Sequence, residues 1–374
     1  SDLEESIVAS IRSEPPGLFD PDRDGRNEYA ILVLSGGGAG GAFGAGLLSG
    51  WTQAGTRPDF KIVTGISTGS LQATFAFLGA EYDDELTEVF TQYGTDEIYT
   101  RRSPLGALLG ESAWDTEPLK ALIDHYITDE VLAAVAAKHR TGHRLFLGTS
   151  NMDTREFIIW DMGAIASSER ADKLERYRNV MLASSAIPVL FPPVYFDVEI
   201  DGEDYYEMHV DGGVKAQLFL RGFMLDFEET LEEAGVKGKV GASLYVIRNG
   251  RPGEERPRKI VSASSLSIAS ATINSVFTLS TDSSLFRAYV LNGDGNTVDE
   301  RRVRVGIYEG DSVEVIEGLN EGDRLVVHGQ GGADEGAGFQ GVHGLEFFQA
   351  EIPANRSDVY ILPPDHALQA ACLG

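Results

Sequence analysis

The residues that most constrain this chain are YAILVLSGGGAGGAFGAGLLSGWTQAGTRPDFKIVTGISTGS, from Tyr29 to Ser70. Tyr29 to Leu34 is a short apolar, β-favouring run that stops at glycines, as a buried strand does. Gly36, Gly37, Gly38, Gly40 and Gly41 follow with only Ala39 among them, a backbone with no side chains to block a ligand. Ala42 to Ala54 is helix-compatible and Gly55 closes it. The first amides of such a helix have no partner within it, and they point back over the loop, where they favour negative charge. A second strand, Lys61 to Thr64, then delivers Gly65-Ile66-Ser67-Thr68-Gly69. G-x-S-x-G between a strand and a helix (Ser67 to Leu78) is a nucleophile elbow. Its glycines, Gly65 and Gly69, permit the sharp reversal that lifts the Ser67 hydroxyl clear of the backbone. Acyl transfer needs a nucleophile and oxyanion donors, and this stretch offers both. Strand–helix alternation over Tyr29 to Leu78 predicts an α/β fold: a three-layer sandwich around a mostly parallel central sheet.

Three further segments extend the pattern. Leu174 to Leu182 reads as a helix that runs into SSAIPVLFPP, Ser184 to Pro193. Tyr195 to Ile200 and Tyr205 to Val210 form a hairpin through Asp201-Gly202. Asp211-Gly212-Gly213 follows its second strand. GGGAGG, GISTG, SSAIPVLFPP and DGG together resemble the patatin-like phospholipases, in that family's order, over roughly Tyr29 to Val290. The resemblance implies a Ser–Asp dyad: Ser67 as nucleophile, Asp211 as base with Gly212 and Gly213 completing its motif. It implies an oxyanion hole from the amides of Gly36, Gly37, Gly38 and Gly41. It also implies a lipid or ester substrate, met at a membrane surface, and no cofactor. Many members carry a basic residue inside the glycine loop, where this chain has Ala39 and Gly40, so no side-chain role is expected there.

Aspartate, with a pKa of about 3.9, is a weak base for a serine hydroxyl unless burial raises it. His209 lies two residues before Asp211 and would share its strand face; a structural role is the simpler reading. An α/β-hydrolase would need Ser, acid and His in that order, which His328, His343 and His366 satisfy formally. That fold builds most of its sheet before the elbow, however, and here one strand and one helix precede the elbow strand. A dinucleotide site fits Gly36-x-Gly38-x-x-Gly41, but the acid expected at the end of the second strand is absent; Asp59 precedes that strand. A non-lipid carboxylesterase and a catalytically silent binding module are the remaining alternatives. The histidines form no metal spacing.

Net charge is −27. That disfavours nucleic acid and strongly anionic membranes as electrostatic partners. No run reaches the roughly 18 apolar residues of a membrane span. Cys372 is the single cysteine, which excludes an intramolecular disulfide. Residues 1–28 read as a polar lead-in with a short helix over Leu3 to Ile11. Asp20, Asp22 and Asp24 with Gly25 match half a calcium loop, but Ile31 stands where its bidentate Glu belongs. Leu105, Leu108 and Leu109 read as core rather than as a flap.

Ile260 to Leu291 reads as a long, mildly apolar helix. Val303 to Val327 then alternates β-type residues with Gly-Asp turns, the pattern of an all-β module. It resembles the small β module near the C-terminus of periplasmic adaptor subunits of multidrug efflux pumps. The expected organisation is a catalytic domain over 29–291 and 345–374, with 292–344 inserted as a small β module and glycine-rich linker. Together the two resemblances point to the bacterial cell envelope, periplasmic or membrane-associated, rather than the cytoplasm. No protein partner is indicated.

Overall fold

The computed structural model describes residues 2–20, 26–93, 98, 100–101, 112, 114–200, 202–219, 239–249, 268–269, 271–273 and 276. Beyond these it describes 287–291, 298–302, 304–309, 312–317, 324–329, 345–349 and 359–361. The calcium-like turn at 21–25 and Leu105, Leu108 and Leu109 lie outside the described residues. The chain divides into two compact units, Ser1–Ser280 and Thr281–Gly374.

In the first unit the helices are α1 (Asp2–Arg12), α2 (Gly41–Gln53), α3 (Thr68–Leu78), α4 (Asp83–Thr91), α5 (Glu117–Tyr126), α6 (Asp129–Arg140), α7 (Met162–Ser167) and α8 (Lys173–Ser184). The strands are β1 (Arg26–Leu34), β2 (Phe60–Gly65), a short pair β3 (Thr100–Arg101) and β4 (Trp114–Asp115), β5 (Arg144–Asn151), β6 (Phe157–Asp161), β7 (Val194–Ile200), β8 (Glu203–Asp211) and β9 (Lys239–Ile247). Seven of them form one sheet in the order β7-β8-β5-β2-β1-β9, with β6 also on β5. The centre, β5-β2-β1-β9, is parallel. β6, β8 and β7 join antiparallel. This is the expected helix-flanked α/β sandwich.

β2 and β5 are buried at every residue, and β1 from Tyr29 to Leu34, because both faces of the sheet are covered. Leu32, Leu34, Val63, Leu145 and Leu147 pack in one core with residues of α2 to α8. The alternate residues Tyr29, Ile31, Val33, Ile62 and Phe146 are buried too. On that face Arg144 donates to the Ser6 carbonyl of α1 and Tyr29 to Glu14. Thr64 donates to the Phe219 carbonyl. The polar lead-in packs on this face: Ile7, Ser10 and Ile11 of α1 are buried, and buried Lys61 is paired with Glu14.

The register shows how the sheet carries a site. β5 has β6 on one edge, over Phe146 to Ser150. Its other edge is shared. Arg144 to Leu147 pair with β2, which ends at Gly65, and Thr149 to Asn151 pair with His209 to Asp211 of β8. The end of β8 thus occupies the space just beyond the tip of β2, pointing the opposite way. The β7–β8 turn at Gly202 has φ 84°, a left-handed conformation suited to glycine, and Ile200 pairs with Glu203 across it.

The second unit is antiparallel β. One sheet runs β11 (Val298–Arg302), β10 (Arg287–Leu291), β14 (Arg324–Gly329), β15 (Leu345–Gln349). A second runs β12 (Arg304–Glu309), β13 (Ser312–Glu317), β16 (Val359–Ile361). This differs from the expected organisation at two places. Arg287–Leu291 is a strand, held by β11 and β14, not the end of a helix. Residues 345–349 and 359–361 pair with β14 and β13 instead of returning to the first unit. Short apolar runs such as Ala288 to Leu291 suit either helix or strand, and here the pairing partners decide.

Candidate active site

Ser67 sits between the last residue of β2 and the first of α3. Its backbone has φ 53° and ψ −125°, a conformation that a residue with a side chain holds only under strain. The reversal is tight. A methyl on Gly65 would lie 2.5 Å from the Gly69 carbonyl oxygen, and one on Gly69 would run into the Leu34 carbonyl. Ser67 is almost fully buried, at 7% exposure.

The elbow is braced by serines. The Ser67 amide donates to Ser184 Oγ at 3.0 Å, and Ser184 Oγ donates to the Gly148 carbonyl of β5 at 2.7 Å. The Ser67 carbonyl accepts from the Ser70 amide (2.8 Å), Ser70 Oγ (2.6 Å) and Ser185 Oγ (3.3 Å). The SSAIP segment thus lies against the elbow and ties it to the sheet. Ser184→Ala would strip the buried Ser67 amide of its acceptor. It should destabilise the fold by about 1–3 kcal/mol, read as a lowered urea midpoint with an unchanged slope.

Asp211 ends β8 opposite Thr149. Its amide donates to the Ala186 carbonyl at 2.9 Å. Its carboxyl is fully buried. Oδ1 accepts the Gly213 amide at 2.7 Å, while among the described residues Oδ2 has no hydrogen-bond partner. Burial pushes its pKa up to about 7, against the pull of the adjacent Ser67 hydroxyl and the Gly213 amide. The Ser67 hydroxyl stands beside the carboxyl, where it favours the charged form.

The glycine loop runs alongside: a methyl on Gly36 would lie 3.2 Å from Ser67 Cβ, and Thr68 Oγ1 donates to the Gly38 carbonyl at 3.0 Å. Its amides differ. Gly36 N–H donates to the Gln217 carbonyl at 3.3 Å, and Gly41 N–H to the Gly38 carbonyl. Among the described residues the amides of Gly37 and Gly38 have no acceptor. Of the four glycines expected to donate, two therefore have amides already committed. Gln217, which no motif singled out, also places its side-chain amide against Gly36 and Gly213. Gln72 and Asn249, likewise unmarked in the sequence, stand behind the loop.

His209 is buried, but its ring bonds Thr149 Oγ1 (2.9 Å) and Glu207 Oε2 (3.3 Å), not Ser67 or Asp211. Burial lowers its pKa. His328 lies on β14 of the second unit, and His343 and His366 lie outside the described residues. Asp59 pairs with His143 and Lys138.

Comparison with known proteins gives two family matches. A model described as patatin-like phospholipase matches residues 32–224. A model described as "RND MFPs, C-terminal permuted SH3 domain" matches residues 286–331. No curated protein matches the chain. Among solved structures, the crystal structure of VipD from Legionella pneumophila is similar at 16% identity and a TM-score of 0.34, over 58% of this chain and 50% of that one. The chain thus spans about half the length of that relative.

Proposed function

The chain belongs to the patatin-like phospholipase family, and from that premise we propose that it cleaves carboxylic esters of lipids, in the manner of a phospholipase A or lysophospholipase, with Ser67 as nucleophile and Asp211 as base. One observation carries the reading: a fully buried carboxyl with an uncommitted oxygen stands beside the hydroxyl of a strained elbow serine. Ser67 Oγ attacks the ester carbonyl carbon as Asp211 takes its proton. The charge that develops on the carbonyl oxygen is received by the amides of Gly37 and Gly38, at the end of a chain segment that enters α2. Collapse breaks the bond to the alcohol, which leaves with the proton from Asp211. Water then attacks the acyl-Ser67 ester, Asp211 takes a proton from it, and the acid is released as Ser67 is reprotonated. No histidine is needed in either half.

The family supplies the lipid class. It is supported by α2, which carries no charged residue in a chain of net charge −27 and leaves Phe43 and Leu47 exposed just past the glycine loop. The adaptor-type match supports an envelope location, periplasmic or membrane-associated. Among the described residues no helix is long and apolar enough to cross a membrane.

The test is a panel of phospholipids, lysophospholipids and short p-nitrophenyl esters, reading released acid, beside labelling with a fluorophosphonate. Release of fatty acid from a lipid, with Ser67 labelled, is the expected result. Cleavage of short esters alone would make the protein a non-lipid carboxylesterase. Neither turnover nor labelling would leave a silent binding module.

A further inference from the structure

The glycine loop has only the Ala39 methyl with which to wedge itself in place, so its amides must be aimed from behind. Asn249, two residues past β9, and Gln72, on α3, are buried at 1% and 0% exposure and meet there. Asn249 Nδ2 donates to Gln72 Oε1 at 2.8 Å, and Gln72 Nε2 donates back to Asn249 Oδ1 at 3.3 Å. The second donor of each amide goes to an end of the loop. Asn249 Nδ2 donates to the Ser35 carbonyl at 2.8 Å, and Gln72 Nε2 to the Gly41 carbonyl at 2.6 Å. The Asn249 backbone amide donates to Ser35 Oγ at 2.8 Å, and that hydroxyl donates to the Gly36 carbonyl at 2.6 Å. All four side-chain N–H donors have acceptors, and rotating either amide by half a turn would set oxygen against a carbonyl oxygen. The Asn249 carbonyl oxygen also fills the place where a side chain on residue 37 would stand.

We propose that Asn249 and Gln72 are positioning residues for the oxyanion donors, an inference that rests on the reading of Gly37 and Gly38 given above. Neither amide faces the ester. Their effect is relative placement: Gln72 rides on the helix that begins after Ser67, so the pair fixes the loop's amides with respect to the nucleophile. Such donors act only where the oxyanion forms, so misaiming them weakens the transition state more than the bound ester.

Asn249→Asp keeps the shape but replaces both donors, setting oxygen against the Ser35 carbonyl. On a p-nitrophenyl ester its kcat should fall about 10- to 100-fold, with KM changed by less than ~3-fold and a melting transition still present. Gln72→Asn shortens the partner and should behave the same way. The exchanged pair, Asn249→Gln with Gln72→Asn, restores the reciprocal contact and should recover about tenfold in kcat over the single Gln72→Asn chain. Wild-type kcat in a folded single variant, a loss confined to KM, or an exchanged pair no better than Gln72→Asn would each overturn the proposal. Should Asn249→Asp not fold, Gln72→Asn and the exchanged pair decide the matter alone. A wild-type chain that cleaves no ester removes the proposed function and this inference with it; an active wild type with unaffected variants removes only the inference.

Discussion

Ser67→Ala should abolish ester hydrolysis, and Asp211→Asn should lower kcat by at least ~10⁴-fold, with both chains folded. In an enzyme with a histidine base, the aspartate orients the imidazole, and its loss is milder than loss of the serine. Here the carboxylate itself would accept the proton, so the two losses should match. Alanine at position 67 keeps a Cβ in the same strained backbone, and no relief of strain should accompany the loss. Ser67→Gly, by contrast, should be inactive and more stable by about 1 kcal/mol, because glycine holds φ 53° without penalty. The contrast is made by changing the histidines. His209→Gln should retain activity to within the effect of disturbed packing, since its ring bonds Thr149 and Glu207. His328→Gln, His343→Gln and His366→Gln should do so as well. Hydrolysis of p-nitrophenyl esters, read beside thermal melting, checks all of them. One folded histidine variant as inactive as Ser67→Ala would sink the dyad.

The parts of this arrangement that sequence revealed are those set by neighbours in the chain. Gly65 and Gly69 are required by contacts within the elbow and with the end of β1, all inside one strand–helix–strand unit. The β7–β8 hairpin turns at Gly202, and its second strand ends at Asp211. What lies outside that reach is set by partners far along the chain. The glycine pattern shows that the loop can approach a ligand, but not that the Gly36 amide is taken by a carbonyl at residue 217. Asn249 and Gln72 carry no local signal, because their role exists only once β9 is seated beside β1. The same holds at larger scale. Ile7 and Ile11, four residues apart, mark α1 as amphipathic, but its burial depends on Arg144 and Gly142 meeting Ser6 and Ser10. The run Arg287 to Leu291 becomes a strand because β11 and β14 flank it, a choice its own residues leave open.

Stability and activity should move in opposite directions as pH rises, and Asp211 should be the cause. As base it must be ionised, so activity should climb through a pH of about 7 and level off above it. That limb alone does not identify the group, because an unperturbed imidazole titrates nearby, at about 6.5. The sign of the stability change does. Burial raises the folded-state pKa of Asp211 far above its unfolded value. Below about 3.8 the proton is held in both states, and the group's full contribution is present. Between about 3.8 and about 7 the unfolded chain has released a proton that the folded chain keeps, so stability falls with pH. Across some three pH units this amounts to about 4 kcal/mol. Asp211→Asn cannot titrate and should escape that loss. Its melting temperature, measured against wild type from pH 4 to pH 9, should pull ahead steadily up to pH 7, by on the order of 8 °C, and stay ahead by a constant margin above. A buried histidine whose pKa is lowered, as at His209, acts with the opposite sign: it is neutral in the fold and charged in the unfolded chain, so stability rises with pH up to its unfolded value. A gap between wild type and Asp211→Asn that is flat across the range would mean that Asp211 is already ionised below it, and the raised pKa on which its work as a base depends would be gone.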